Sequence, residues 1–375
     1  MNLIILFLTS QWITVTYNDI EPFWDFYSNN RISGEACGRG YTGIAITGDL
    51  SSVLINPASL YLEHRTNYYS EYIFKNNVGW YYNIYDDNYS AFFSYLSRDS
   101  LYINPQGDQP DFYLQTPHPN FFTGLAFSIN DFIQIGATYR VENSYTTAIN
   151  NTYYGGYSKP NIKNSSFSIP ISFNYKDLLR IGIDIIYLSY YIESYDHLEF
   201  NKIRAKFGAI YSPMENLSLG LTYLPGTKET IAVYDSTGPI AYATIYGPIV
   251  LPLEIGAGIC FKLNSIPLSF SIDYNYSNTS EVESFVDRHD IHLGLEYDVT
   301  ENLKLRTGAF TQIDYRTSES QEDSEMSNFT QIFNTFGLSY KISSLTLNLS
   351  LMDSHLFSSG SVEQTYFNTG ISYGF

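Results

Sequence analysis

From about Tyr61 to Phe375 the chain repeats one pattern: a segment of about ten residues in which apolar and polar side chains alternate, then a turn. In Leu268–Tyr276 the residues Leu268, Phe270, Ile272, Tyr274 and Tyr276 alternate with Ser269, Ser271, Asp273 and Asn275. Ile291, Leu293, Leu295 and Tyr297 alternate with His292, Gly294 and Glu296, and Leu345, Leu347, Leu349 and Leu351 with Thr346, Asn348 and Ser350. Successive side chains of a strand point to opposite faces, so each segment has one apolar and one polar face. Helical periodicity is essentially absent beyond the N-terminal region, so the chain reads as all-β and antiparallel.

The links alternate too. Short ones fall at Asp86–Asn88, Asn130–Asp131, Lys176–Asp177, Met214–Asn216, Leu263–Ile266, Thr300–Asn302 and Ile342–Ser344. Longer ones span Arg98–Asn120, Thr146–Asn164, Gly226–Gly247, Asn278–Val286, Thr317–Ser327 and Asp353–Val362. Tight turns at one mouth and long loops at the other are the pattern of a transmembrane outer-membrane β-barrel. The reading gives sixteen segments over residues 61–375, or about twenty residues per strand and loop, which suits spanning strands of about 9–11 residues. An even count leaves both ends on the periplasmic side. A soluble sandwich or propeller would show the same alternation. The Leu- and Tyr-rich apolar faces, with Tyr toward the strand ends, favour a barrel with an interfacial aromatic girdle in a lipid bilayer. The last strand, Tyr366–Phe375, turns Phe367, Ile371, Tyr373 and Phe375 outward. Its ending at Tyr373 and Phe375 resembles the signal read by the barrel assembly machinery of Gram-negative outer membranes.

Composition narrows the function. The 36 Tyr outnumber the 20 Lys and Arg together, and a net charge of −18 repels phosphate, which excludes a nucleic-acid partner. Aromatic content of 17% argues against disorder. Two Cys, Cys37 and Cys260, exclude a disulfide scaffold and a multi-Cys zinc site. His289 and His292 lie three apart on a strand and face opposite sides, so they do not share a metal. No Gly-x-Ser-x-Gly element occurs and no catalytic triad can be proposed from spacing, so neither an enzyme nor a cofactor or metal is expected. The acidic loop residues Glu319, Glu322, Asp323 and Glu325 either share divalent cations with lipopolysaccharide or are solvated surface; the second weighs more, and no calcium-loop spacing is present. No continuous apolar stretch after the N-terminus reaches the roughly 20 residues of a membrane-spanning helix. Leu3–Val15 is an apolar core of signal-peptide length, which divides the chain into a signal peptide (1–18), an N-terminal plug (19–60) and a barrel (61–375).

Extending the face assignment puts Leu303, Leu305, Ala309 and Ile313 toward lipid and Lys304, Arg306, Gln312 and Asp314 toward the lumen. By the same rule Arg180, Asp184, Lys202, Arg204, Lys206, Glu254, Asp273, His292 and Glu296 point inward. A cation on the lipid face at mid-membrane would cost about 2–4 kcal/mol, which supports this register. Such charges either line a polar path and contact a ligand carboxylate, or fill the lumen as paired charges and water; for any one residue the second weighs more. Cys260 is placed in the lumen, and a disulfide to Cys37 would need the N-terminal segment inside the barrel.

Gly38–Leu60 is a small-residue segment with Gly38, Gly40, Gly43 and Gly48, then Asp49, Ser51 and Ser52, ending in a turn fixed by Asn56-Pro57-Ala58. Small residues suit a segment inserted into a barrel mouth. The run resembles the N-terminal signature of the FadL/TodX outer-membrane transporters and of the related PorV-type barrels. In both, a Gly-Arg-x-x-x-Gly element leads through Asp-x-Ser-Ser to Asn-Pro-Ala-x-Leu. Asn216–Gly226 and Leu251–Gly258 resemble further segments of that superfamily. The resemblance implies passive uptake of small hydrophobic compounds, such as fatty acids or aromatic hydrocarbons, past a plug or hatch carrying Gly38, Gly40, Gly43, Asp49, Ser52, Asn56, Pro57 and Ala58. Its PorV branch implies instead a structural barrel with secretion-system subunits as partners, and a plain diffusion porin would not need the glycine-rich segment. Members of the family typically have fourteen strands, so the barrel is expected to have 14–16: either a hairpin is added, placed within Ser165–Ser194, or the count of sixteen is an overcount.

Overall fold

The computed structural model describes residues 34–48, 50–60, 66–74, 101–103, 112–114, 120–145, 149–151, 156–158, 161–193, 197–235, 242–281, 285–313, 330–354, 356–357 and 365–374. The signal-peptide assignment, the turn at Asp86–Asn88, the acidic residues 319–325, Asp49 and Phe375 lie outside the described residues.

The strands follow in chain order. After β1 (Thr66–Phe74) comes the short pair β2 (Leu101–Ile103) and β3 (Phe112–Leu114), then β4 (Asn120–Ser128) and β5 (Ile133–Tyr145). A second short pair, β6 (Ile149–Asn151) and β7 (Gly156–Ser158), precedes β8 (Asn161–Tyr175), β9 (Leu179–Glu193), β10 (His197–Met214) and β11 (Leu217–Leu224). The pair β12 (Thr227–Asp235) and β13 (Tyr242–Leu251) leads to β14 (Glu254–Lys262), β15 (Leu268–Ser277), β16 (Arg288–Thr300) and β17 (Leu303–Gln312). The chain ends with β18 (Gln331–Ile342), β19 (Leu345–Asp353) and β20 (Thr365–Gly374).

Fourteen of these strands close into an antiparallel barrel, with β1 hydrogen-bonded to β20 on one side and to β4 on the other. Fourteen is the lower of the two expected counts, and sixteen was an overcount. Residues 165–194, read as an added hairpin, are the regular wall strands β8 and β9, and β4 lies directly beside β1. Three pairs, the short β2–β3 and β6–β7 and the longer β12–β13, form separate two-stranded sheets outside the wall. They sit in the long connections, all at one end. At the other end the links are tight: Lys176 and Asp177 both take positive φ (52° and 56°), the geometry of a type I′ hairpin turn that matches strand twist. Asn174 supports that turn, donating from Nδ2 to Asp177 Oδ1 (2.9 Å) and accepting from the Asp177 amide (3.1 Å).

The barrel is inside-out compared with a soluble sandwich. Ile203, Leu221, Ile259, Leu293 and Leu305 are exposed on the outer face, whereas Arg180, Asp184, Arg204, Arg306 and Asn348 are buried within. Lipid in place of water explains both halves of that distribution. The β5–β8 ladder lapses at mid-height, where partners are formed from Ile133 to Ile135 and again from Thr138, but not at Gly136 and Ala137. Pro170 lies opposite this gap and has no N–H to contribute to a ladder.

Candidate functional site: a plug seated on a belt of glycines

Residues 34–48 and 50–60 lie inside the barrel. The segment starts as α1 (Gly34–Gly38), turns at Arg39–Tyr41, and ends in two 3-10 turns, Leu50–Leu54 and Pro57–Ser59. Gly34, Ala36–Ala45, Ser52, Val53 and Ile55–Leu60 are buried. Helix α1 packs against β17–β20, and the Pro57–Ser59 turn against β8, β9 and β10.

Close approach is possible because the facing wall positions are glycine. A Cβ on Gly208 would lie 1.9 Å from Asn56 Oδ1, and one on Gly220 would lie 2.1 Å from the Ile44 carbonyl oxygen. Gly182 meets Pro57 and Ala58, Gly258 meets Ile44, Gly294 and Gly308 meet Arg39, and Gly337 meets Gly38. Gly182 pairs with Gly208, Gly220 with Gly258, and Gly294 with Gly308 across neighbouring strands, so these positions form a belt along the β9–β18 side of the lumen. Strand β15 has no glycine in the belt and instead supplies hydrogen bonds. Asp273 Oδ2 accepts from the amides of Gly43 (2.6 Å) and Ile44 (2.9 Å), and Ser271 Oγ lies 2.7 Å from Thr42 Oγ1.

The other polar contacts divide between the two halves of the plug. Arg39 reaches Glu296 (3.1 Å), which is also held by Arg306 (2.6 Å) and Lys304 (3.2 Å), and Arg306 reaches Glu35 (3.4 Å). The Gly40 amide donates to Thr335 Oγ1 (2.9 Å), and His292 Nδ1 lies 2.8 Å from the Gly40 carbonyl. Tyr41 packs edge-on to Phe310, which stacks between His292 and Phe333. In the second half Asn56 is the centre. Its Nδ2 donates to the Ile44 carbonyl (2.6 Å), with those of Ala209 and Leu221 at 3.3 and 3.4 Å, while Oδ1 accepts from the Ala58 amide (2.9 Å). Lys206 Nζ donates to the Leu54 carbonyl (2.9 Å).

The sequence-derived assignments can now be placed. Gly38, Gly40, Gly43, Ser52, Asn56, Pro57 and Ala58 all lie in the plug and are buried. Arg180, Asp184, Arg204, Asp273, His292 and Arg306 are buried on the lumen side, and Glu254 and Glu296 are half-buried on the same face. They do not act as one site. Asp273, His292, Glu296 and Arg306 hold or flank the plug, Arg180 braces the Asp177 turn, and Arg204 ties the carbonyls of Pro225 and Pro252 at the foot of β12–β13. Tyr373 faces outward. Cys37 and Cys260 are both buried thiols and are not joined, although the plug does enter the barrel. Sequence reasoning missed the glycine belt. Its signal was present, because Gly182, Gly208, Gly220, Gly258, Gly294, Gly308 and Gly337 all fall in the polar phase of their strands, where a channel wall would carry larger polar side chains.

No protein-family profile matches the chain, and no curated protein matches it by sequence. Solved structures do. A FadL homologue of Pseudomonas aeruginosa superposes with a TM-score of 0.64 at 12% identity, covering 91% of this chain and 97% of that one. The Pseudomonas putida toluene transporter TodX gives 0.59 at 12% identity, over 90% of this chain and 96% of its own. The monoaromatic hydrocarbon channel CymD gives 0.61 at 12% identity, over 92% and 97%. A closed fourteen-strand wall around an N-terminal plug is thus a FadL/TodX-type outer-membrane barrel fold.

Proposed function

We propose that the chain is an outer-membrane channel for passive uptake of small hydrophobic compounds, with residues 34–60 as its plug. The observation that carries this reading is the seating of that buried segment on the glycine belt inside the barrel. A segment held in the lumen obstructs free diffusion of water-soluble solutes, whereas an apolar molecule can leave sideways into lipid. The tight-turn end is the periplasmic one, so cargo is captured among the long connections and descends to the plug. The lapse in pairing at Gly136–Ala137, beside Pro170, is the weakest seam of this part of the wall and is where we place the exit of such cargo. Pro170 is paired with Asp184, two residues from Gly182, which touches Pro57 and Ala58 of the plug, so plug and gap adjoin. Fatty acids and aromatic hydrocarbons are the two candidate cargo classes. Burial at roughly 25 cal/mol per Å² of apolar surface would supply the affinity.

Native mass spectrometry of the barrel extracted in mild detergent from its own membrane tests this. A bound mass of a few hundred daltons, lost when the lumen above the plug is blocked, is expected. An empty lumen with a co-purifying protein subunit would overturn the reading in favour of a structural role in protein secretion.

A further inference from the structure

Three rings stand side by side on the lumen wall. His292 of β16 is the strand partner of Phe310 of β17, and Phe310 that of Phe333 of β18. Phe310 lies two residues nearer the long-connection end of its strand than Gly308, the belt glycine that meets Arg39. The row therefore sits one inward position above the belt. Its rings are nearly parallel: His292 and Phe310 are 5.5 Å apart at 9°, and Phe310 and Phe333 4.8 Å apart at 11°. Strand spacing imposes that interval. Both faces of Phe310 are thereby occupied. Its T-shaped contact with Tyr41 of the plug (5.2 Å, 88°) thus runs from the edge of Phe310 to the face of Tyr41. A ring edge is electropositive and a ring face electronegative, so the row offers an edge suited to a flat π face. Tyr41 lies across it, in one apolar cluster with Ile44, Ile55 and Met352.

The backbone of Tyr41 is strained. Its φ is 59°, in the left-handed region that a bulky side chain disfavours, whereas Gly40 before it takes φ 64° without penalty. The turn would accept a second glycine more easily than a tyrosine. The Tyr41 amide donates to the Ala36 carbonyl (2.7 Å), and its ring, 1% exposed, is held by the cluster. Withdrawing that ring relieves the strain and leaves a slot the size of one aromatic ring between plug and row. An apolar slot of that kind stays dry and takes up a small aromatic molecule.

We infer that the slot filled by Tyr41 is a binding site for a planar aromatic ring, with Tyr41 as its internal occupant and the edge of Phe310 as its recognition element. This rests on the transport reading above and narrows the cargo to aromatic compounds. An acyl chain has no π face, so the row offers it burial alone.

The test uses the full-length barrel in a non-ionic detergent, with toluene and methylcyclohexane as probes. The two match in carbon number, and toluene alone has a π face. Binding is read by titration calorimetry. Tyr41→Gly removes the ring and suits the left-handed turn, so it should bind toluene about tenfold tighter than the wild type, because no internal ring competes. It should prefer toluene over methylcyclohexane several-fold. Adding Phe310→Leu, which stays apolar but has no ring edge, should abolish that preference. In the wild type, toluene but not methylcyclohexane should raise nitration of Tyr41 by tetranitromethane, mapped by peptide mass spectrometry. Unchanged nitration at saturating toluene would overturn the site, and that readout needs no variant. Equal toluene affinity of wild type and Tyr41→Gly, or equal binding of both hydrocarbons by Tyr41→Gly, would also overturn it; barrel-dependent uptake of labelled oleate in that case would leave the transport reading intact. Binding of neither hydrocarbon to either form, with no uptake of labelled toluene or oleate, would remove both.

Discussion

Asn56 and Gly208 are fitted to each other: the side-chain oxygen of the plug asparagine occupies the space where a Cβ on the wall glycine would sit, 1.9 Å away. The same asparagine binds the Ile44 carbonyl and the Ala58 amide within the plug and the Ala209 and Leu221 carbonyls of the wall, so one side chain joins both halves of the plug to the wall. Gly208→Ala should therefore unseat the second half of the plug without preventing barrel closure, since the strand itself tolerates alanine. Asn56→Ala should weaken plug docking by about 1–3 kcal/mol, the cost of leaving buried partners unmatched. Both variants should keep the heat-modifiable gel mobility of a folded barrel and raise the uptake of large antibiotics. Unchanged permeability in both would show that the seal lies elsewhere.

Glu296 neutralises Arg39 of the plug together with Arg306 and Lys304 of the wall. Glu296→Gln removes the carboxylate these cations share, leaving Glu35 on Arg306 and Asp298 on Lys304; because Glu296 is half-buried, the loss should fall below the roughly 3–5 kcal/mol of a fully buried pair. The expected outcome is a lower unfolding midpoint and protease access to residues 34–48. Adding Arg306→Met should recover part of the loss, so the double variant should be less destabilised than the sum of the singles.

Asp177, in the tight turn, is held below the usual carboxylate range chiefly by the Asn174 side-chain amide, with Arg180 adding to the effect. A carboxyl whose folded pKa is depressed contributes stability above its unfolded pKa, about 4, and loses it as pH falls through the lower folded value. Amide-exchange protection of the β8–β9 turn should thus be level from pH 7 to pH 5 and decline below about pH 4. Asp177→Asn should flatten that decline, and because the side chain is largely solvent-exposed the change should be small.

Pro170→Val restores an N–H at the lapse in the β5–β8 ladder. It should raise thermal stability and slow the uptake of hydrophobic probes several-fold, with no change in antibiotic permeability. Faster uptake of the probes would exclude that gap as the exit.

The barrel itself was legible because lipid on one side and a polar lumen on the other impose a strict period of two, seen in Leu268–Tyr276 and Leu345–Leu351. The facing of each lumen charge followed from the same parity. The strand number was less legible: residues 226–247, which hold β12, read rightly as a long connection, but β8 and β9 in residues 165–193 read as an added hairpin although they are ordinary wall strands, and only pairing partners tell the two cases apart. The role of the lumen charges was not legible. Whether Glu296 meets water, ligand or plug depends on which long-range partner reaches it, and Arg39 lies 257 residues away. The glycine belt was visible as residues but not as a surface, since it becomes one only when seven strands align in register.

The most direct test of the account is the uptake of radiolabelled toluene and oleate by cells carrying the wild-type barrel, no barrel, or the barrel without residues 34–60, with a large hydrophilic antibiotic as control. The account predicts that the wild type takes up at least one labelled compound faster than the barrel-free strain while excluding the antibiotic, and that removing the plug admits the antibiotic. Equal uptake of both labelled compounds with and without the wild-type barrel, together with continued exclusion of the antibiotic after the plug is removed, would contradict it.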